Sequence, residues 1–163
     1  MMKRLLVMCS ILLAAYTAKA QPANIYNPEA DAETEIKQAT VEANAENKHV
    51  FLQIGGNWCS WCRKFHNFVN ENKAIKDFVD KNFVVVKVNY SKENKNPDVL
   101  KKIDFPQRFG FPVFVILDGT GKRIHTQNSA YLEENEGYSE KKVLEFFKQW
   151  APGALNPAAY AEE

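Results

Sequence analysis

Cys59 and Cys62 are the residues of this chain best placed to do chemistry. They stand three apart, and residues at that spacing share one face of a helix. Their Cα atoms would then lie on the order of 5 Å apart, inside the window a disulfide allows. A helix that begins at Cys59 gives its sulfur unpaired backbone N–H groups and the positive end of the helix dipole. Both favour a thiolate over a thiol. Arg63 and Lys64 follow closely and push the same way. A thiolate is the attacking species in disulfide exchange. The spacing therefore points to a redox pair in which Cys59, at the helix tip, is the nucleophile. Cys62, one turn in, is the resolving thiol.

His66 carries the main rival signal. Cys59, Cys62 and His66 follow at spacings of three and four and could present three ligands to zinc or copper(I). The position of the cysteine pair, after a strand and at a helix tip, is already accounted for by redox chemistry. The other histidines, His49 and His125, suggest no fourth ligand. The expectation is therefore no bound metal and no organic cofactor, the reacting group being the Cys59–Cys62 disulfide itself.

These cysteines need a scaffold, and the flanking sequence supplies one. The apolar run Val50-Phe51-Leu52-Gln53-Ile54 reads as a buried strand, Gly55-Gly56 lets the chain turn, and an amphipathic run follows from Arg63 to Val69. Upstream, Pro28 to Asn47 reads as a helix with Ile36, Ala39 and Ala43 on one face. Downstream, the helix falters at Asn70-Glu71-Asn72 and resumes through Ile75, Phe78 and Val79. Phe83 to Val88 is β-branched and reads as a central buried strand. Pro97 opens a short helix to Lys102. Phe109 to Leu117 contains another buried strand, and Asp118-Gly119-Thr120-Gly121 turns into a strand over Lys122 to Thr126. Ser139 caps a closing helix to Trp150, with Val143, Phe146, Phe147 and Trp150 facing in. Strand–helix–strand units and a late hairpin give an α/β fold, a mixed central sheet with helices on both faces.

The chain's first twenty residues read as a cleaved secretory signal. Lys3 and Arg4 are basic, Leu5 to Ala15 is apolar but too short to span a bilayer, and Ala18-Lys19-Ala20 is a small-x-small site. Its removal takes away Lys3, Arg4 and Lys19 and no acid, which leaves 18 basic against 20 acidic residues and a net charge of −2. No basic stripe points to nucleic acid. Cys9 leaves with the signal, and the two cysteines that remain belong to one motif. A single close pair is not a disulfide-stapled scaffold, and so short a loop constrains the unfolded chain little. The organisation expected is a signal over 1–20, a flexible lead-in over 21–31, one domain over 32–150 and a loose tail over 151–163.

Taken together, these motifs resemble the thioredoxin-fold family. Trp58-Cys59-x-x-Cys62 lies between a strand and a helix, and Phe83-Val-Val-Val-Lys-Val-Asn89 follows as the expected central strand. Gly110-Phe111-Pro112 stands where that family places a cis-proline, and Asp118-Gly119-x-Gly121-Lys122 makes the hairpin. The opening helix followed by Asn47-Lys48-His49-Val50 is similar to exported members, among them the C-terminal domain of membrane thiol:disulfide interchange reductases. The resemblance implies that Phe111 offers backbone groups to an extended substrate and that Pro112 is the cis residue beside Cys59. It also implies a redox poise tuned by Ser60 and Trp61 between the cysteines. Trp58 then either shields Cys59 or forms part of the substrate surface.

One departure stands out. The family carries a buried Asp six residues before the first cysteine, where this chain has Gln53. Glutamine cannot act as a base at neutral pH. The family's lysine partner is retained as Lys87. Either water serves proton transfer at Cys62, or Lys87 has another carboxylate partner.

The expected function is an exported thiol–disulfide oxidoreductase that reduces disulfides of proteins or peptides. It would act as a monomer, periplasmic or else secreted or at the cell surface, re-reduced by a membrane electron carrier. The alternatives are a disulfide oxidase or isomerase using the same cysteines, and a non-catalytic binding or metal-handling module using the same face.

Overall fold

The structure, a computed structural model, describes residues 24–161. The expected signal, Cys9 and the start of the lead-in lie outside the described residues.

Strand β1 (His49–Gly55) is buried along its whole length because it runs through the middle of the sheet. It pairs in parallel with β2 (Phe83–Asn89) and antiparallel with β3 (Val113–Leu117). Strand β3 pairs antiparallel with β4 (Arg123–Asn128), which gives the order β2-β1-β3-β4. The run Phe83 to Val88, expected to be central, is therefore an edge strand. Only one of its sides is paired, and Val85 is 40% exposed. A β-branched run also suits an edge whose faces are covered, so composition alone does not separate the two positions.

Period-two alternation divides the core by residue type. On one face Val50, Leu52, Ile54, Val86, Val88, Val113, Val115 and Leu117 form an aliphatic layer. Helix α1 (Ala32–Glu46) covers it with Ala39 and Ala43, joined by Val99 and Leu100 of α4 (Pro97–Lys102). On the other face Phe51, Phe114 and Ile116 meet Phe65 of α2 (Ser60–Glu71) and Ile75 and Val79 of α3 (Lys73–Asn82). Val143, Phe146 and Phe147 of α5 (Glu140–Trp150) complete this aromatic layer.

Local signals set the helix ends. Asp31 accepts from the Glu33 and Thr34 N–H groups and starts α1 later than the expected Pro28. Asn72 both ends α2 and caps α3, which explains the faltering at residues 70–72. Ser139 stands at the N-cap of α5 without a side-chain cap bond. A two-stranded hairpin of β5 (Glu133–Glu134) and β6 (Gly137–Tyr138) was not anticipated. It is too short for alternation to register, and it seats Tyr138 against Phe65.

Both chain ends of the described region differ from expectation. Within the lead-in, Tyr26 is only 2% exposed, and both the Ile25 and Tyr26 N–H groups donate to Asn57 Oδ1. The tail folds as two 3-10 turns, Pro152–Leu155 and Pro157–Tyr160, with Ala151 buried.

Candidate active site

Cys59 and Cys62 form a disulfide with Cα atoms 5.2 Å apart. Cys59 is the N-cap of α2, in extended conformation, and its sulfur accepts the Cys62 N–H at 3.1 Å. The helix thus begins one residue after the expected Cys59, and one of its free donors, the Cys62 N–H, points at that sulfur. Access is unequal. Cys59 retains 5% of its surface, whereas Cys62 has none. An incoming sulfur can reach only the first cysteine.

The loop ahead of the pair is held from several sides. Arg63 donates to the Asn57 carbonyl, and Asn57 Nδ2 donates to the Tyr26 carbonyl at 2.8 Å. Lys64 donates to the Glu136 carbonyl and lies 4.3 Å from the centre of the Trp61 ring. These two cations brace the loop and the β5–β6 hairpin, a more structural use than the thiolate support the sequence suggested. A Cβ at Gly55 would meet Cys62 Sγ closer than any real contact allows. Glycine is required there for close approach, not for an unusual φ.

Trp58 is 58% exposed and stands edge-on to Phe111, ring centroids 5.5 Å apart. Its Nε1 donates to the Tyr90 carbonyl at 2.7 Å. Phe111 also packs against Tyr90 and against the cysteine pair. Trp58 therefore belongs to an aromatic rim with Phe111 and Tyr90 beside the disulfide. A cleft of about 490 Å³ opens beside it, lined by Pro28, Asn57, Tyr90 and the loop 91–95. The Phe111–Pro112 peptide is cis, and Pro112 is buried. The β1–β3 ladder ends at the Ile54–Val113 pair, so Phe111 lies just beyond it. Ser60 is exposed, and Trp61 packs edge-on against Tyr138 at 5.5 Å.

Beneath the pair lies a polar network in an apolar setting. Gln53 is fully buried and stands directly opposite Lys87 in the β1–β2 register. Lys87 Nζ donates to Gln53 Oε1. Gln53 Nε2 donates to Tyr26 Oη at 2.9 Å and to the Cys62 carbonyl at 3.1 Å. An ammonium only donates and a carbonyl only accepts, so the amide can face only this way. Among the described residues Lys87 therefore has no carboxylate partner, one of the two arrangements the sequence left open. Its partner is Gln53 itself. Burial pulls the Lys87 ammonium down to about 8 and pushes the Tyr26 phenol well above its ordinary range.

His66 does not join the cysteines. It lines a small cavity with Lys87, Asn70 and Asp80, and its ring contacts the Asn70 side-chain amide. Burial and the Lys87 charge both hold its imidazole below the ordinary value. Among the described residues no group of three or more His, Cys, Asp or Glu side chains is placed to hold a metal ion. His49 is buried and bonds the Trp150 carbonyl through Nδ1 at 2.8 Å, and His125 stacks on the Trp150 ring.

Sequence reasoning missed Tyr26, Asn57 and Tyr90. The available signal was Gln53. A glutamine inside an otherwise apolar strand must find both a donor and acceptors, and a lysine and a hydroxyl are what the fold supplies.

The thioredoxin-like domain family matches residues 36–137. A disulphide isomerase from Xylella fastidiosa superposes with a TM-score of 0.68 at 26% identity, over 77% of this chain and 95% of that chain. The oxidised C-terminal domain of DsbD from Neisseria meningitidis gives 0.48 at 16% identity, over 72% of this chain and 95% of that one. An uncharacterized Caenorhabditis elegans protein is 34% identical over 65 residues, which are 40% of this chain. The match spans only 8% of that relative's length.

Proposed function

The chain belongs to the thioredoxin-like domain family, and on that premise we propose that it is an exported thiol–disulfide oxidoreductase that reduces disulfides of proteins or peptides. The observation that carries this reading is the unequal access of a bonded pair: Cys59 at a helix tip and slightly exposed, Cys62 fully buried one turn in.

In the reduced protein the Cys59 thiolate attacks one sulfur of a substrate disulfide, and the other substrate sulfur leaves with the electron pair and takes up a proton. Cys62 then attacks Cys59 Sγ. The second substrate sulfur leaves reduced, and two electrons have passed from the cysteine pair to the substrate. The backbone groups of Phe111, just ahead of Pro112 and β3, are offered to the substrate segment. The oxidised pair next needs an external dithiol, for which an electron carrier in the membrane is the fitting partner. The reading takes residues 32–150 as the working domain, with the leader over 1–20 directing export and the periplasm as destination. The Cys59–Cys62 disulfide is the redox group this chemistry requires.

A second reading, isomerase or oxidase, is favoured by the likeness to the Xylella disulphide isomerase. The chemistry at Cys59 is shared, and the direction follows from the potential.

Trapping tests the common step. The Cys62→Ala variant, mixed with a peptide disulfide, is expected to accumulate a mixed disulfide on Cys59 that a small dithiol releases. Cys59→Ala should trap none. Trapping that is equal in both variants, or absent from both, would overturn the reading.

A further inference from the structure

The position of Tyr26 has no explanation in packing alone. It comes from the segment ahead of α1, is tied down by two hydrogen bonds to Asn57 with a third from Ile25, and reaches under the disulfide, where it clusters with Cys59 and Cys62. Its oxygen accepts from Gln53 Nε2. Since Gln53 Nε2 can only donate there, the phenol proton points elsewhere. Tyr26 Oη and Cys62 Sγ both crowd the place a Cβ would take at Gly55, the oxygen at 2.9 Å and the sulfur closer still. Both atoms therefore border the same point beside that glycine.

We propose that the Tyr26 hydroxyl donates a hydrogen bond to Cys62 Sγ and holds that sulfur's charge during exchange. Two donors in the structure already run one way, Lys87 ammonium to Gln53 carbonyl and Gln53 amide N–H to Tyr26 oxygen, and the proposed bond from Tyr26 O–H to the reduced Cys62 sulfur extends them. Aligned donors polarise one another, so the Lys87 charge strengthens a bond at a sulfur it does not touch. Other groups bound the effect. His66, Lys76 and Asp80 share the cavity beside Lys87, Arg63 and Lys64 brace the neighbouring loops, Tyr90 packs on Phe111 and Tyr138 on Trp61. Of these, the donor that borders Cys62 Sγ at Gly55 is the phenol. Burial keeps that phenol protonated across the working range.

The inference rests on the exchange reading and deepens it. In resolution, the Cys62 lone pair forms the bond to Cys59 Sγ and the bond from Cys59 to substrate breaks. Its electron pair leaves on the substrate sulfur, and the proton from Cys62 ends there. In re-reduction, an external thiolate attacks Cys59, and the electron pair of the old disulfide moves onto Cys62 Sγ. Tyr26 keeps its proton throughout and supplies a hydrogen bond.

The test follows Cys62 directly, by 13Cβ NMR titration in the full chain carrying Cys59→Ala. Adding Tyr26→Phe keeps the ring and removes the hydroxyl. The thiolate fraction of Cys62 at fixed pH is expected to fall about tenfold, while the titration of Cys59, followed in Cys62→Ala with and without Tyr26→Phe, stays put. A Cys62 titration that does not move, or one that moves together with Cys59, overturns the proposal. Global 3-fluorotyrosine labelling makes the phenol a stronger donor and covers the case in which Tyr26→Phe does not fold. It should move Cys62 the opposite way, towards more thiolate, and no movement again overturns the proposal. Exchange of the unmodified chain with glutathione is measured in parallel. If that exchange fails while Tyr26→Phe still shifts Cys62, the function reading falls and the hydrogen bond stands. The converse result separates them the other way.

Discussion

Lys87 Nζ donates to Gln53 Oε1 across the first parallel strand pair, two residues that stand directly opposite in register. Where related proteins pair a lysine with a carboxylate, this chain pairs it with an amide. The amide passes the interaction on to Tyr26 and to the Cys62 carbonyl. Its consequences are measurable in both stability and chemistry.

The first consequence concerns Lys87 itself. Burial lowers its pKa from 10.5 to about 8. Between those values the unfolded chain binds more protons, so folding stability rises with pH through that window. Lys87→Met removes that titration but leaves Gln53 Oε1 without its donor. The stability of the variant relative to the parent should fall by about 1–3 kcal/mol as pH rises from 8 to 10.5. Denaturant midpoints measured from pH 6 to 10 check the sign.

Gln53 satisfies three partners inside the core. Gln53→Leu keeps the volume but leaves the Lys87 cation without its acceptor and the Tyr26 oxygen without its donor. The expected loss is about 2–4 kcal/mol at neutral pH, read from the urea midpoint. Lys87→Met added to Gln53→Leu should recover part of it, because an unpaired cation is then no longer buried.

Gly55→Ala places a methyl group against Cys62 Sγ and Tyr26 Oη, neither of which is the free end of a flexible side chain. A destabilisation of about 1–3 kcal/mol is expected by thermal unfolding. Gly137, which has open space around it, is the control position: Gly137→Ala should change stability by less than about 0.5 kcal/mol.

The aromatic rim should matter to binding and not to redox poise. Trp58→Ala removes the ring that stands over Phe111 and borders the adjoining cleft. KM for a peptide disulfide is expected to rise about tenfold, equivalent to about 1.4 kcal/mol. The Cys59–Cys62 potential should stay within about 15 mV of the parent. Steady-state kinetics and an equilibrium titration separate the two effects.

How much of this was legible beforehand depends on the kind of signal. The cysteine pair, its strand and its helix were legible because each leaves a local mark: an apolar run, two glycines, and an amphipathic turn. The two-layer core followed from periodicity. The place of the Phe83 strand in the sheet was not legible, because edge and centre differ in pairing and not in residue type. Tyr26 was hidden for a related reason. It lies 33 residues before Cys59 in a stretch without periodicity, and only the Asn57 side chain brings it under the disulfide. Gln53 did mark that something polar had to meet it, although not which residue would.

The most direct measurement is the Cys59–Cys62 equilibrium in glutathione redox buffers, with metal content determined beforehand. The account predicts metal-free protein, one two-electron transition, and a potential at or below about −220 mV, on the reducing side of the thioredoxin-like range. A value near about −120 mV would contradict the reducing direction and make the protein a disulfide donor. Cysteines that fail to equilibrate, or that hold stoichiometric zinc or copper, would contradict the exchange chemistry altogether.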